Sequence, residues 1–151
     1  MTVVYTTVFG NTDPLHELKT KGDAEYICFT DQDIKSETWE IAKVSPPLKP
    51  NTESRRYKCL PHLLFGNEPT IWVDACLDCF FNPSELLEKY QGAITNFSHP
   101  DRTRISQEAQ AIIKCKKAPE KSILQQLKIY QNDGFDTDEF PMQSLSNNGF
   151  I

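Results

Sequence analysis

The sequence predicts an α/β fold, a mostly parallel sheet with helices on both faces. Three observations predict it. Short runs rich in β-branched and aromatic residues alternate with longer helical patterns, the arrangement of a parallel sheet covered by helices. The run Ile71-Trp72-Val73 is continuously apolar, as a strand buried on both faces must be. Two such runs, "CFTD" and "IWVD", end in a carboxylate, Asp31 and Asp74. Open parallel sheets bind ligands beyond the carboxyl ends of their strands, so these ends and the first-strand loop are expected to converge on one pocket.

The elements follow in order. "VVYTTVF" is a strand that stops at Gly10-Asn11. "DPLHELKTK" reads as a short helix, with Asp13 as cap and Pro14 in its first turn. "AEYICFTD" is a second strand and "TWEIAKV" a third, broken by the prolines of "SPPLKP". Asn51 or Thr52 opens a helix through "ESRRYKCLPHLLF", and Pro61 within it implies a kink or restart. "TIWVDACL" is the fourth strand. "NPSELLEKY" is a helix with Asn82 capping, Pro83 at its first position and Glu85 behind. "GAITNF" is a short strand, "RISQEAQAIIKCKK" a helix, and "PEKSILQQLKIYQNDG" a last helix ending at Gly134. Trp39 and Trp72 are expected in the core, His16 and His99 on the surface, and His62 packed along its helix. The apolar run cut at Ile151 predicts a C-terminally truncated fragment.

A chain of 151 residues with 38% hydrophobic and 25% charged residues suits one globular domain spanning 1–151. No apolar run reaches the length of a membrane span. The start lacks the basic and small-residue signals of a secretory leader, and five cysteines are an odd number. Reduced thiols and a cytoplasmic setting are therefore expected. A net charge of −5 argues against a nucleic-acid surface, except where nucleic acid is itself an acceptor.

A carboxylate closing an apolar strand is costly unless a cation or a ligand hydroxyl pairs with it. If the strand runs on beyond Asp74, then Asp74, Cys76 and Asp78 share one side. Mn²⁺ or Mg²⁺ is held by one or two carboxylates together with substrate phosphates. The plainer alternative is that Asp74 caps a turn or pairs with an arginine.

Several stretches resemble GT-A-type glycosyltransferases: "YTTVFGNTDPL", "FTDQ" and above all "RRYKCLPHLLFGNEPTIWVDACL". "FSHPDRTRISQEAQA" and "FPMQSLSNNGFI" match more weakly. The chain is most similar to the glycosyltransferase-like family first described in plant proteins of mucilage and cell-wall polysaccharide. The resemblance implies a GT-A-like (Rossmann-like) fold and transfer of a sugar from a nucleotide-sugar donor, by default a UDP-sugar, to an unidentified acceptor. It implies that Thr6, Thr7, Gly10 and Asn11 lie against the base and ribose, and that Asp31 bonds one of them. Arg56 and Lys58 would face the diphosphate or sugar, and Asp74 would be the catalytic and metal-binding acid. Cys76 stands where many GT-A enzymes keep a second acid, which weighs against a Mn²⁺ or Mg²⁺ requirement. Asp101 and Glu108 are acceptor-side candidates by location alone.

Two alternatives carry different functions. Cys59-x-x-His62 and Cys76-x-x-Cys79 have a spacing used by structural zinc sites, although "CLDC" lacks the glycine that tight Cys-x-x-Cys turns favour. The same fold also serves as a binding module without turnover.

Overall fold

The computed structural model describes residues 1–10, 13–90, 97–98, 101–134 and 146–147, the pairs 97–98 and 146–147 through their backbone alone. The chain forms two compact units, Met1–Thr95 with Gly149–Ile151, and Asn96–Asn148. Among the described residues no helix is long and apolar enough to cross a membrane.

The first unit is built on four parallel strands: β1 (Val3–Val8), β2 (Glu25–Thr30), β3 (Glu40–Lys43) and, after helices α1 (Pro50–Cys59) and α2 (His62–Phe65), β4 (Thr70–Trp72). Their order across the sheet is β3-β2-β1-β4, and α3 (Pro83–Lys89) follows β4. Every residue of the central strand β1 is buried, as expected where both faces are covered. Alternate side chains feed two cores. On one face Val4, Val8, Tyr26, Cys28, Ile71 and Val73 pack with Leu86 and Leu87 of α3, and with Leu15, Leu18 and Trp39. On the other, Val3, Tyr5, Phe9 and Trp72 pack with Tyr57 of α1 and Leu64 and Phe65 of α2. Helices thus cover both faces. Each fully buried aliphatic chain contributes about 1.5–3 kcal/mol. Edge-to-face contacts of Tyr5 with Phe65 (5.0 Å between centroids) and Trp72 (5.2 Å) tie α2 to the sheet.

The helix ends follow their local sequence. Pro50 opens α1, Glu53 sits in its first turn, and Arg56 and Lys58 sit in its last, which suits the helix dipole. The helix stops at Cys59 and α2 restarts after Pro61, the interruption the proline predicts. Asn82 Oδ1 accepts the Ser84 N–H at 3.1 Å and caps α3 behind Pro83.

Three expectations are corrected. Residues 13–21 form no helix. Their backbone groups find partners elsewhere: His16 N–H donates to Ala75 O (2.8 Å), Leu18 N–H to Thr38 Oγ1 (3.0 Å), and His16 O accepts the Trp39 indole N–H (2.9 Å). The fourth strand does not run through Leu77. Only Val73 still reaches the sheet, donating to Tyr5 O, and the Leu77 N–H then closes a turn onto Asp74 O. Asp74, Cys76 and Asp78 therefore do not share one side of an extended strand. His62, expected to pack, is exposed.

In the second unit α4 (Ile105–Lys114) packs on α5 (Glu120–Asn132), which ends before Gly134 at φ +85°. Two short strands, β5 (Phe97–Ser98) and β6 (Ser146–Asn147), pair antiparallel. Of the expected strand "GAITNF" only Phe97 lies within the described residues.

Candidate functional site

The carboxyl edge of the sheet is stepped. Thr70 pairs with Val3 and Trp72 with Tyr5, and after Val73 N–H donates to Tyr5 O the chain leaves the sheet at Asp74. β1 itself continues to Val8, and the chain then turns at Gly10. On the other side β2 stays beside β1 to its end, with Thr30 opposite Val8. The connection from β1 goes to β2 while β4 lies on the opposite flank. The edge between β1 and β4 is thus the point where strand order reverses, the usual ligand position in such sheets.

At the β1–β2 side, Gly10 N–H donates to both Asp31 oxygens, at 3.2 and 3.3 Å. Gly10 has φ +69°, and a Cβ there would stand 2.4 Å from Pro50 Cγ, so the loop and the start of α1 meet only because the residue is glycine. Thr30 Oγ1 donates to Val8 O (2.7 Å) and accepts the Gln32 N–H (3.1 Å), which locks the two strand ends together. Thr7 Oγ1 donates to Ser54 Oγ of α1 at 3.0 Å, and Thr6 is fully buried within the strand. Asn11 lies outside the described residues.

At the β4 side, Asp74 Oδ1 accepts the Trp72 indole N–H at 2.8 Å and pairs with Lys58 Nζ at 3.3 Å. The Lys58 ammonium also lies over the Trp72 ring, 5.4 Å from its centroid. Its side chain is only 13% exposed, whereas Asp74 is 41% exposed. The acid that closes the apolar strand is thus neutralised by the lysine of the preceding helix. Arg56 turns instead to Glu53: Nε and Nη2 reach Oε1 at 3.1 and 2.6 Å. That bond raises the guanidinium's proton affinity further.

Glu53 carries no strong signal in the sequence, where it reads as an ordinary first-turn acid. Yet it is 1% exposed, and its Oε2 has no hydrogen-bond partner. The buried Thr6 Oγ1 and Gln32 Nε2 are likewise without partners. Buried polar atoms are seldom left unsatisfied, and those left so mark strain or a place for an absent partner. The only hint in the sequence is the Glu53-x-x-Arg56 spacing, which puts both on one helical flank.

The zinc reading has no geometric support. Cys59 and Cys76 are exposed and Cys79 is buried, and among the described residues no three His, Cys, Asp or Glu groups converge. Burial pushes the Cys79 thiol up to about 11 and Cys28 to about 12, so both stay protonated and behave as small hydrophobes. In the second unit Glu108 pairs with Arg102.

A family profile described as TOD1/MUCI70, glycosyltransferase-like domain, matches residues 29–151, from the end of β2 onward. No curated protein and no solved structure matches the chain. With the matched region covering most of the chain and carrying Asp31, Lys58 and Asp74, the chain belongs to the TOD1/MUCI70 glycosyltransferase-like domain family.

Proposed function

We propose that the protein is a glycosyltransferase that moves a sugar from a nucleotide-sugar donor, by default a UDP-sugar, onto an acceptor hydroxyl. The observation that carries this reading is the Lys58–Asp74 pair at the stepped edge between β1 and β4. Transfer expels a nucleoside diphosphate, and negative charge gathers on it as the glycosidic bond breaks. A fixed cation in a partly dry site stabilises that charge without having to reorganise. Lys58 is such a cation. Asp74 holds it in place, and the donor is expected to take over part of its charge. Asp31 and the Gly10 loop would bind the ribose or base, with Thr7 and Ser54 shaping the wall beside them. Asn11 and Thr6 complete the proposed donor set, and Arg56 is its second cation.

A divalent ion fits this donor set poorly. Asp74 has already spent Oδ1 on Lys58 and Trp72, Cys76 is exposed in the turn, and among the described residues no three His, Cys, Asp or Glu groups converge. Within the proposed donor set, Mn²⁺ or Mg²⁺ would be held by Asp74 together with the donor's phosphates. The proposed role of positive charge is accordingly given to Lys58.

The pairing of Asp74 with Lys58 also favours a second reading, a module that binds a nucleotide sugar without turning it over. One experiment separates the two. Melting temperature is followed with UDP, GDP and a panel of UDP-sugars, with and without Mn²⁺, and free UDP is then assayed. A ligand at a hundredfold excess over its Kd stabilises by about 2.7 kcal/mol, a shift of several degrees. Binding with UDP release supports the enzyme, and binding without release supports the module. No shift with any nucleotide overturns both.

A further inference from the structure

Glycosyl transfer needs a group that removes the acceptor's proton, and the two acids of the proposed donor set are already engaged, Asp31 with Gly10 and Asp74 with Lys58 and Trp72. The loop after β1 supplies one. His16 Nδ1 stands 3.0 Å from Asp78 Oδ1. With the Nδ1 proton donated to the carboxylate, Nε2 keeps its lone pair and acts as an acceptor. Both side chains are open to a substrate, 39% and 46% exposed. The structural duties of His16 fall on its backbone, which donates to Ala75 O and accepts from Trp39 Nε1. The ring is thus held in place by main-chain bonds while its outer nitrogen is free for chemistry. The neighbouring acid, Glu17, is occupied by Thr38 and Ser36, whose hydroxyls lower its proton affinity.

The placement matches the stereochemical need. His16 is bonded to Ala75, the residue next to Asp74. Asp74 turns to Lys58 and Trp72, on the face covered by α1 and α2. Ala75, Leu15 and Leu18 belong to the opposite core. The dyad and the cation pair therefore flank the β4 exit from opposite faces. Leu77 and Phe80, 43% and 71% exposed, bracket Asp78 and offer an apolar surface to the face of a sugar ring.

We propose that His16 is the catalytic base for the acceptor hydroxyl and Asp78 its positioning residue; the assignment rests on the glycosyl-transfer reading above. Nε2 takes the hydroxyl proton as the acceptor oxygen bonds to the anomeric carbon. The bond from that carbon to the phosphate oxygen breaks on the opposite side, and its electron pair leaves with the diphosphate. The imidazolium then returns its proton to water. Attack from that side inverts the anomeric centre.

The test uses the whole protein with the panel of UDP-sugars, water serving as acceptor, and reads donor Kd, UDP release, product anomer and melting temperature. His16→Gln and Asp78→Asn should keep donor Kd within about twofold and the melting temperature nearly unchanged. His16→Gln should lower kcat about 10²–10⁴-fold, the range of general-base catalysis. Asp78→Asn, which disfavours the required tautomer, should lower kcat with KM unchanged. His16→Gly should recover part of its rate in added imidazole. A wild-type rate in His16→Gln, a loss of donor affinity equal to the loss of rate, or a product of retained configuration overturns the assignment alone. A wild-type protein that binds none of the donors overturns the glycosyl-transfer reading and this assignment with it.

Discussion

Lys58 Nζ lies 3.3 Å from Asp74 Oδ1, and the same oxygen accepts the Trp72 indole N–H at 2.8 Å. One carboxylate thus holds a nearly buried cation and a buried indole at once. Asp74→Ala removes the acceptor from both, and a buried donor stranded in this way costs about 1–3 kcal/mol. Asp74→Asn keeps an acceptor for Trp72 and should cost less. Adding Lys58→Met to Asp74→Asn should restore part of the loss, because the stranded charge goes too. Urea denaturation of the four proteins gives this order. If the proposed site is correct, Asp74→Asn and Lys58→Met each weaken UDP-sugar binding at least about tenfold, equivalent to about 1.4 kcal/mol, in titration calorimetry.

Gly10 and Gly66 form a matched pair for separating backbone strain from steric clash. Both have positive φ, +69° and +63°. A Cβ at Gly10 would meet Pro50 Cγ at 2.4 Å, while one at Gly66 would have open space. Gly66 has ψ −122°, a combination essentially only glycine adopts, so Gly66→Ala should cost backbone strain alone, about 1–3 kcal/mol. Gly10→Ala should cost that and about 1–3 kcal/mol more, because the proline at the start of α1 must move. It should also loosen the Gly10–Asp31 bond and so lower nucleotide affinity, whereas Gly66→Ala should leave binding unchanged. Denaturation midpoints and calorimetry read both effects.

The four parallel strands, the Pro61 break, the Asn82 cap and the carboxylates at two strand ends were legible because each has a strong local cause. A continuous apolar run, a ring without an N–H, or an Asn-Pro pair ahead of a helix leaves few options. Residues 13–21 were not legible. Their apolar positions and the Asp13-Pro14 start fit a helix, but the decisive partners, Thr38, Trp39 and Ala75, are distant in sequence. The exit of β4 after Val73 was hidden for a similar reason. "DACL" continues an apolar pattern, and the turn closed by Leu77 on Asp74 has no glycine or proline to announce it. His16 read as a surface histidine, which its exposure bears out; its pairing with Asp78 appears only once the loop is folded against β4.

The thiols divide by burial, and their titration follows. Cys28 and Cys79 are pushed from an ordinary value near 9 up to about 12 and about 11, chiefly by burial. Cys59, Cys76 and Cys115 are exposed. Brief alkylation of the native protein should label those three, and Cys28 and Cys79 only after unfolding, as read by mass spectrometry of peptides. The raised values also fix the sign of a pH effect. Below pH 9 both states hold the protons and the buried thiols contribute fully. As pH rises from about 9 toward 11 and 12, the unfolded thiols ionise while the folded ones do not, so stability falls through that window. Cys28→Ala should flatten the alkaline fall in urea midpoint, against a Cys115→Ala control.

Glu53 poses the sharpest energetic question in the fold, since a carboxylate 1% exposed is held on one side only. Its Oε1 is held by Arg56, and Oε2 has no partner. Removing the arginine should be worse than removing the acid's charge. Arg56→Ala strands a buried anion and should lower the urea midpoint. Glu53→Gln needs no counter-charge, and its amide can still meet the guanidinium through its oxygen, so it should cost less. Replacing both by methionine should come close to the wild type, because a buried pair and an apolar pair of similar volume often balance. Losses for Glu53→Met and Arg56→Met that add up to that of the double variant would show the two side chains to be energetically independent. Arg56, as the proposed second cation of the donor site, also predicts that adding UDP-sugar stabilises wild type more than Arg56→Ala.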